Sequence, residues 1–132
     1  MSLAIRIYSF GYHRSGIPDD PAGNGGGFVF DCRGLPNPGR DAEFAPHSGL
    51  DEDVRLYLES RPEVSDFLGK VVQLVETVVK SYLQSGYEDL QVCFGCTGGQ
   101  HRSVFCAEQL AAHLRSGGLQ VEVLHTERGL WW

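Results

Sequence analysis

The sequence lacks the features that define several large classes of protein. It has no apolar run of membrane-spanning length, and no secretory signal precedes its first apolar segment. Basic residues are few, because 11 lysines and arginines stand against 17 acidic residues and give a net charge of −6. This balance argues against a broad nucleic-acid interface. We expect one cytoplasmic domain over residues 1–132 that does not bind a membrane.

The cysteines do not indicate a disulfide framework or a zinc site. There are four of them, and without a secretory signal we expect them to be reduced thiols. Cys93 and Cys96 have CxxC spacing, but no second pair follows at zinc-ribbon spacing. Side chains three positions apart in a strand also point to opposite faces of the sheet. We therefore predict neither a metal nor a cofactor.

The hydrophobic pattern alternates between the strand and helix periods. It predicts strands near residues 4–10, 28–30, 90–94 and 119–124, a short helix after Asp51, and amphipathic helices near 63–83 and after 102. This alternation predicts an α/β fold, a small, mostly parallel sheet flanked by helices. The stretch Gly23–Gly27 is interpreted as a flexible linker, and His113 and His125 as surface residues.

The stretch Gly95–Val104, between a predicted strand and a predicted helix, suggests the chemistry of the protein. Its glycines allow backbone N–H groups to converge, and a helix N-terminus adds further donors for an anion. Thr97 and Ser103 supply hydroxyl groups, while His101 and Arg102 supply a titratable ring and a fixed charge. Positive charge at the start of a helix is unfavourable unless an anion compensates it. We therefore predict a phosphate or sulfate site.

The predicted topology brings two further loops to this site. Parallel strands end at one edge of a sheet, so the loops 11–18, 31–40 and 96–102 should converge there. Asp31 and Arg33 end the second predicted strand, and they either face a ligand or form a structural ion pair. The loop is not a Walker A motif, because Gln100 and His101 stand where that motif has glycine and lysine.

Five segments together resemble the C-terminal domain of the RapZ (YvcJ-like) proteins over roughly residues 5–125. The segments are Ser9–Tyr12, Gly16–Pro18, Phe30–Pro38, Gly49–Asp51 and Gly95–Val104. The resemblance implies a fold similar to a phosphofructokinase subdomain and a regulatory role in which glucosamine-6-phosphate is sensed without catalysis. In the best-known member, the domain also binds small RNAs.

The resemblance implies a phosphosugar pocket that uses Thr97, Gly98, His101 and Arg102, with Asp31 and Arg33 nearby. Where the best-known member has a histidine after Pro-Asn-Pro, this sequence has Gly39 followed by Arg40, so a contact is lost or replaced by arginine. With the other polar groups of the loop, the predicted ligand-binding residues are Asp31, Arg33, Arg40, Cys96, Thr97, Gly98, Gly99, His101, Arg102 and Ser103.

Two departures from the family limit what carries over. The nucleotide-binding domain that precedes this domain in the family is not in the sequence, so no GTP or ATP chemistry is expected. The basic tail linked to RNA binding is replaced by Thr126–Trp132, which contains one arginine, so RNA binding should be weak. A protein partner and a homodimer both stay open.

A catalytic alternative also fits the loop. Cys96, Arg102 and Ser103 satisfy the Cys-x5-Arg-Ser spacing of cysteine-dependent phosphatases, in which a thiolate attacks a phosphate held by the loop and the arginine. One of Asp19, Asp20 or Asp31 would then act as the general acid for the leaving group.

Overall fold

A computed structural model describes residues 2–131, and Met1 and Trp132 lie outside the described residues. The described chain forms, in order, β1 (Ala4–Gly11), β2 (Phe28–Asp31), α1 (Glu52–Glu59), α2 (Pro62–Ser85), β3 (Asp89–Cys96), α3 (Arg102–Ser116) and β4 (Gln120–His125). Short 3-10 helices occupy Pro38–Arg40 and Arg128–Leu130. The predicted α/β class is confirmed. None of the helices described in residues 2–131 is long and apolar enough to cross a membrane.

The four strands form one sheet in the order β2-β3-β1-β4, and every pair of neighbours is parallel. Gly11 at the end of β1 lies opposite Cys96 at the end of β3, and Asp31 at the end of β2 lies opposite Gly95. The loops that follow these strands therefore start at the same edge of the sheet. This register explains the predicted convergence of the three loops.

The main core lies between one face of the sheet and all three helices. Ile5, Ile7, Val92 and Phe94 point into this core and are at most 1% exposed. Helix α2 contributes a stripe at helical spacing, formed by Val64, Val71, Val75 and Val79. Burying each such side chain stabilises the fold by about 1.5–3 kcal/mol before the entropy cost is counted.

A second, smaller cluster lies on the opposite face of the sheet. It contains Tyr8, Phe10 and Cys93, with Tyr12 packed against it. Cys96 belongs instead to the main core. The expectation that Cys93 and Cys96 point to opposite faces is therefore confirmed, and no group of metal ligands is found among residues 2–131.

The glycine-rich stretch after Asp20 is an ordered turn rather than a flexible linker, so that prediction was wrong. The Asp20 carboxylate accepts backbone hydrogen bonds from Ala22, Asn24 and Gly26 at 2.8–3.0 Å. It also accepts a hydrogen bond from Arg6 Nη2 at 3.0 Å. One carboxylate therefore satisfies three amides of the turn, which the glycine content alone could not indicate.

These contacts predict an acid sensitivity of the fold. The amide of Gly26, the other turn amides and Arg6 lower the pKa of Asp20 to about 2. The pKa of an aspartate in an unfolded chain is about 3.9, so Asp20 contributes stability that is complete above that value and is lost as the pH falls towards 2. Urea titrations from pH 5 to pH 2 should show a smaller loss of stability in Asp20→Asn than in the wild type.

The matched control for this experiment is Asp66→Asn, which removes an exposed aspartate of α2 that pairs with Lys70. The control should follow the wild-type pH dependence. Equal pH dependence of the wild type and Asp20→Asn would contradict the assignment.

The side chain of His125 is buried, which corrects its interpretation as a surface residue. Its side chain is 4% exposed, Nδ1 lies 2.6 Å from Ser9 Oγ, and Nε2 lies 2.7 Å from Glu108 Oε2. In β4 it shares the parity of Val121 and Val123, so it projects to the same side of the sheet. The strand alternation already contained this signal.

Candidate functional site

A cleft of about 360 Å³ opens at the edge of the sheet where the strands end. Each of the three predicted loops contributes to its walls. The lining residues are Arg14, Asn37, Gly39, Ala45, Cys96, Thr97, Gly98, Gln100, His101 and Arg102.

A larger cleft of about 540 Å³ lies near the start of β3, around Tyr82, Tyr87 and Leu90. Its charged lining residues, Glu88 and Asp89, are acidic. An anion site requires the opposite sign, so charge favours the smaller cleft over the larger one.

The glycine loop is fixed by close contact between backbones. Gly99 has a φ of +71°, and a Cβ at this position would lie 2.7 Å from Gly11 N and 2.8 Å from the carbonyl carbon of Phe10. Its carbonyl accepts a hydrogen bond from Trp131 Nε1 at 2.9 Å. The loop is therefore packed between the end of β1 and the C-terminal segment, and Gly99 supports the cleft from outside its lining.

Arg102 is the first residue of α3, and it is only 5% exposed. Its Nη1 donates to Arg33 O at 2.7 Å and to Leu35 O at 3.1 Å. Its buried Nε has no acceptor among the described residues. The side chain therefore fixes the loop after β2, although we predicted only contact with a ligand.

The hydrogen-bond partners of Arg102 differ from those of Arg6 and Arg33. Arg6 directs Nε and Nη2 at the two oxygens of Asp89, and Arg33 directs the same two atoms at Asp31. No carboxylate oxygen of the described chain lies within 4.0 Å of an Arg102 nitrogen, so Arg102 has two carbonyl partners and no carboxylate in direct contact. Arg33 chiefly lowers the pKa of Asp31, and the charge of Arg102 adds to this effect from a longer distance.

His101 is a half-buried residue that precedes α3. Its Nε2 donates to Phe44 O at 3.1 Å. Burial lowers the pKa of His101, which favours the neutral ring. A neutral ring that donates through Nε2 has a lone pair at Nδ1. Nδ1 would lie 3.2 Å from a Cβ at Gly39, so the ring offers an acceptor towards the cleft wall.

Cys96 and Ser103 face each other beneath the cleft. Cys96 Sγ lies 3.1 Å from Ser103 Oγ, and the two residues are at most 3% exposed. The Ser103 hydroxyl therefore contacts a thiol and does not line the cleft, contrary to its expected role as a ligand group. Cys96 lines the cleft, and it also packs into the main hydrophobic core.

Two of the three candidate general acids, Asp20 and Asp31, are poorly arranged for catalysis. Asp20 contacts Arg6, far from the strand ends, and a pKa of about 2 makes it ionised near neutral pH. The two hydrogen bonds from the Arg33 side chain, with its backbone amide, lower the pKa of Asp31. Neither carboxyl group is placed to deliver a proton into the cleft.

Besides Gly99 and Ser103, three more predicted ligand residues lie outside the lining of the cleft. Asp31 and Arg33 pair with each other at 2.9 Å on an exposed surface. The guanidinium of Arg33 lies 3.8 Å from the centre of the Tyr12 ring. Arg40 ends the first 3-10 helix and is exposed. Thr97, Gly98, His101 and Arg102 lie together in the lining of the cleft, and their role as ligand groups stays a prediction.

Sequence reasoning missed Arg14 and Asn37, which line the cleft, and the supporting contacts of Gln100. Gln100 Nε2 donates to His47 O at 2.8 Å and to Ala45 O at 3.2 Å, which fixes the cleft wall. Arg14 lies in a loop whose sequence gave no signal of its direction. With Arg14 and Arg102 and no carboxylate among its described lining residues, the cleft is positive in a chain of net charge −6.

Comparisons with known proteins find relatives of this chain over nearly its whole length. A family model described as the RapZ C-terminal domain matches residues 3–129. A nucleotide-binding protein of Alkalilimnicola ehrlichii is 41% identical over 95% of this chain and 41% of its own length. A nucleotide-binding protein of Tolumonas auensis is 44% identical over 93% of this chain and 41% of its own length. A nucleotide-binding protein of Shewanella halifaxensis is 38% identical over 95% of this chain and 42% of its own length. The chain spans about two fifths of the length of these relatives.

Proposed function

Because the chain belongs to the family of the RapZ C-terminal domain, we propose that its cleft binds a phosphorylated sugar and that the domain is a non-catalytic sensor. The ligand class is a phosphosugar such as glucosamine-6-phosphate. Its phosphate would lie against the glycine loop and the start of α3. A protein partner or a second copy of the domain would respond to the bound state.

The observation that carries this proposal is the charge of Arg102. An arginine that is only 5% exposed normally has a carboxylate partner, as the largely buried Arg6 has here. Among residues 2–131, no carboxylate contacts Arg102 directly, and Arg102 also lies at the positive end of the α3 dipole. A phosphate in the cleft would compensate both charges at once.

The neighbouring groups fit a phosphate as well. Thr97 is exposed at the cleft and offers a hydroxyl group, and Gly98 presents backbone without a side chain. Arg14 adds a second positive charge. The relatives named nucleotide-binding proteins support a ligand that contains phosphate, which nucleotides and sugar phosphates share.

RNA is a weaker candidate for the same cleft. Affinity for RNA depends on many phosphate contacts, and this cleft supplies two arginines in a chain of net charge −6. We therefore propose that any RNA binding is weak and depends strongly on salt.

Titration calorimetry with glucosamine-6-phosphate, glucosamine and inorganic phosphate tests the proposal. We expect saturable binding of the sugar phosphate and weaker binding of inorganic phosphate. Glucosamine, which lacks the phosphate group, should not bind at the same concentrations. Absence of any saturable binding of the sugar phosphate would contradict the proposed function.

A Cys96→Ser variant separates sensing from phosphatase chemistry. Serine keeps the approximate size of the side chain but loses the thiolate, so a sensor should keep its affinity within about twofold, since no charged hydrogen bond of the ligand is removed. Neither protein should hydrolyse an aryl phosphate. Turnover by the wild type that Cys96→Ser abolishes would establish a cysteine phosphatase instead.

A further inference from the structure

The C-terminal segment places a buried carboxylate behind the cleft. Glu127 is fully buried, and it accepts hydrogen bonds from Gly11 N at 3.0 Å, Ser15 N at 3.0 Å and Ser15 Oγ at 2.8 Å. Burial alone would raise the pKa of Glu127, but these bonds and one from Thr126 outweigh it and lower the pKa. The carboxylate therefore stays ionised and closes the turn between Gly11 and Ser15.

Arg14, the second positive group of the cleft, lies inside this turn. Its backbone N–H donates to Gly11 O at 3.0 Å, so the turn folds back on itself at Arg14. Its Nη1 lies 3.3 Å from Leu130 O, three residues after Glu127. The C-terminal segment thus contacts both the backbone around Arg14 and its side chain.

Arg14 is exposed and has no carboxylate partner among the described residues. A free arginine side chain loses rotamer freedom when it binds a phosphate, and this loss weakens binding. A turn that is already fixed reduces the loss. If Glu127 could not accept hydrogen bonds, the amides of Gly11 and Ser15 would need other partners, and the turn would change shape.

We infer that Glu127 is a positioning residue that strengthens binding of the phosphorylated ligand by fixing Arg14 at the mouth of the cleft. The inference rests on the proposed function, because it concerns the same site. It adds Arg14 as a ligand contact and Glu127 as the group that orders it.

A second route from Glu127 to the ligand exists and must be separated from the first. Glu127 Cγ would lie 2.6 Å from a Cβ at Gly99, so the glutamate also packs against the glycine loop. If Glu127 acts only by packing against this loop, replacing it should weaken binding whether or not Arg14 is present. If Glu127 acts by fixing Arg14, replacing it should have no effect once Arg14 has been removed.

A double-mutant cycle on the full chain makes this distinction. Calorimetry with glucosamine-6-phosphate would compare Arg14→Ala, Glu127→Gln and the double variant. We expect each single variant to weaken binding about fivefold, the scale for one exposed charge contact, and the double variant to be no weaker than Arg14→Ala alone. Glu122→Gln, which removes an exposed glutamate of β4, should bind like the wild type.

Ser15→Ala provides a second test that leaves the carboxylate in place. It removes only the 2.8 Å bond to Glu127 Oε1, so the variant should fold even if Glu127→Gln does not. Its effect on affinity should be smaller and should disappear in the Arg14→Ala background. If the fold-losses in affinity of the two single variants multiply in the double variant of either cycle, the inference is overturned while the proposed function stands. No binding by the wild type would overturn both.

Discussion

Gly99→Ala is expected to destabilise the domain by about 4 kcal/mol, a large part of the stability of a domain of this size. The φ of +71° is unfavourable for alanine by about 1–2 kcal/mol. The new methyl group would also overlap Gly11 N and Phe10, which are backbone atoms of the central strand β1 and cannot rotate away. Urea unfolding followed by circular dichroism measures the change.

Gly98→Ala is the matched control for this prediction. It differs by one position and adds the same methyl group, but the nearest atom is Arg14 Nε at 3.9 Å and φ is not positive. The control should lose less than about 1 kcal/mol of stability. Equal stability of the two variants would show that the close contact between the loop and β1 does not constrain the fold.

The parts of the fold that follow from local periodicity could be predicted from the sequence. The stripe of valines in α2 and the alternation of Ile5 and Ile7 in β1 each define one buried face, so the elements and the α/β class were predictable. The edge at which the loops converge followed from the parallel arrangement. The strand order β2-β3-β1-β4 did not, because it depends on contacts between distant segments.

The site contacts that the sequence did not reveal also depend on segments that are distant along the chain. Glu127 is a charged residue in a polar segment, and only its contacts with Gly11 and Ser15, more than 110 positions away, make it buried. Arg102 was predicted as a ligand group because of its position at a helix start. Its bonds to Arg33 O and Leu35 O depend on how the loop after β2 folds over α3.

Arg102→Ala is expected to weaken binding of the phosphorylated ligand by about 1.5–3 kcal/mol, which corresponds to a factor of about 10–150 in affinity. The ligand would lose a buried charge of the cleft that no carboxylate of residues 2–131 contacts directly. Calorimetry with glucosamine-6-phosphate gives the affinity. Arg40→Ala is the matched control, because it removes the same charge from an exposed position outside the lining.

Arg102 also holds two carbonyls of the loop after β2, so its two roles must be measured separately. Without ligand, Arg102→Ala should lose about 1–2 kcal/mol of stability. The variant loses two hydrogen bonds to carbonyls, but it no longer buries an unpaired charge, and this gain offsets part of the loss. A ligand at one hundred times its Kd should stabilise the wild type by about 2.7 kcal/mol. At the same concentration the variant should gain far less. A folded variant that gains as much as the wild type would mean that Arg102 only supports the loop, and that the phosphate is bound by Arg14 and the backbone of the glycine loop.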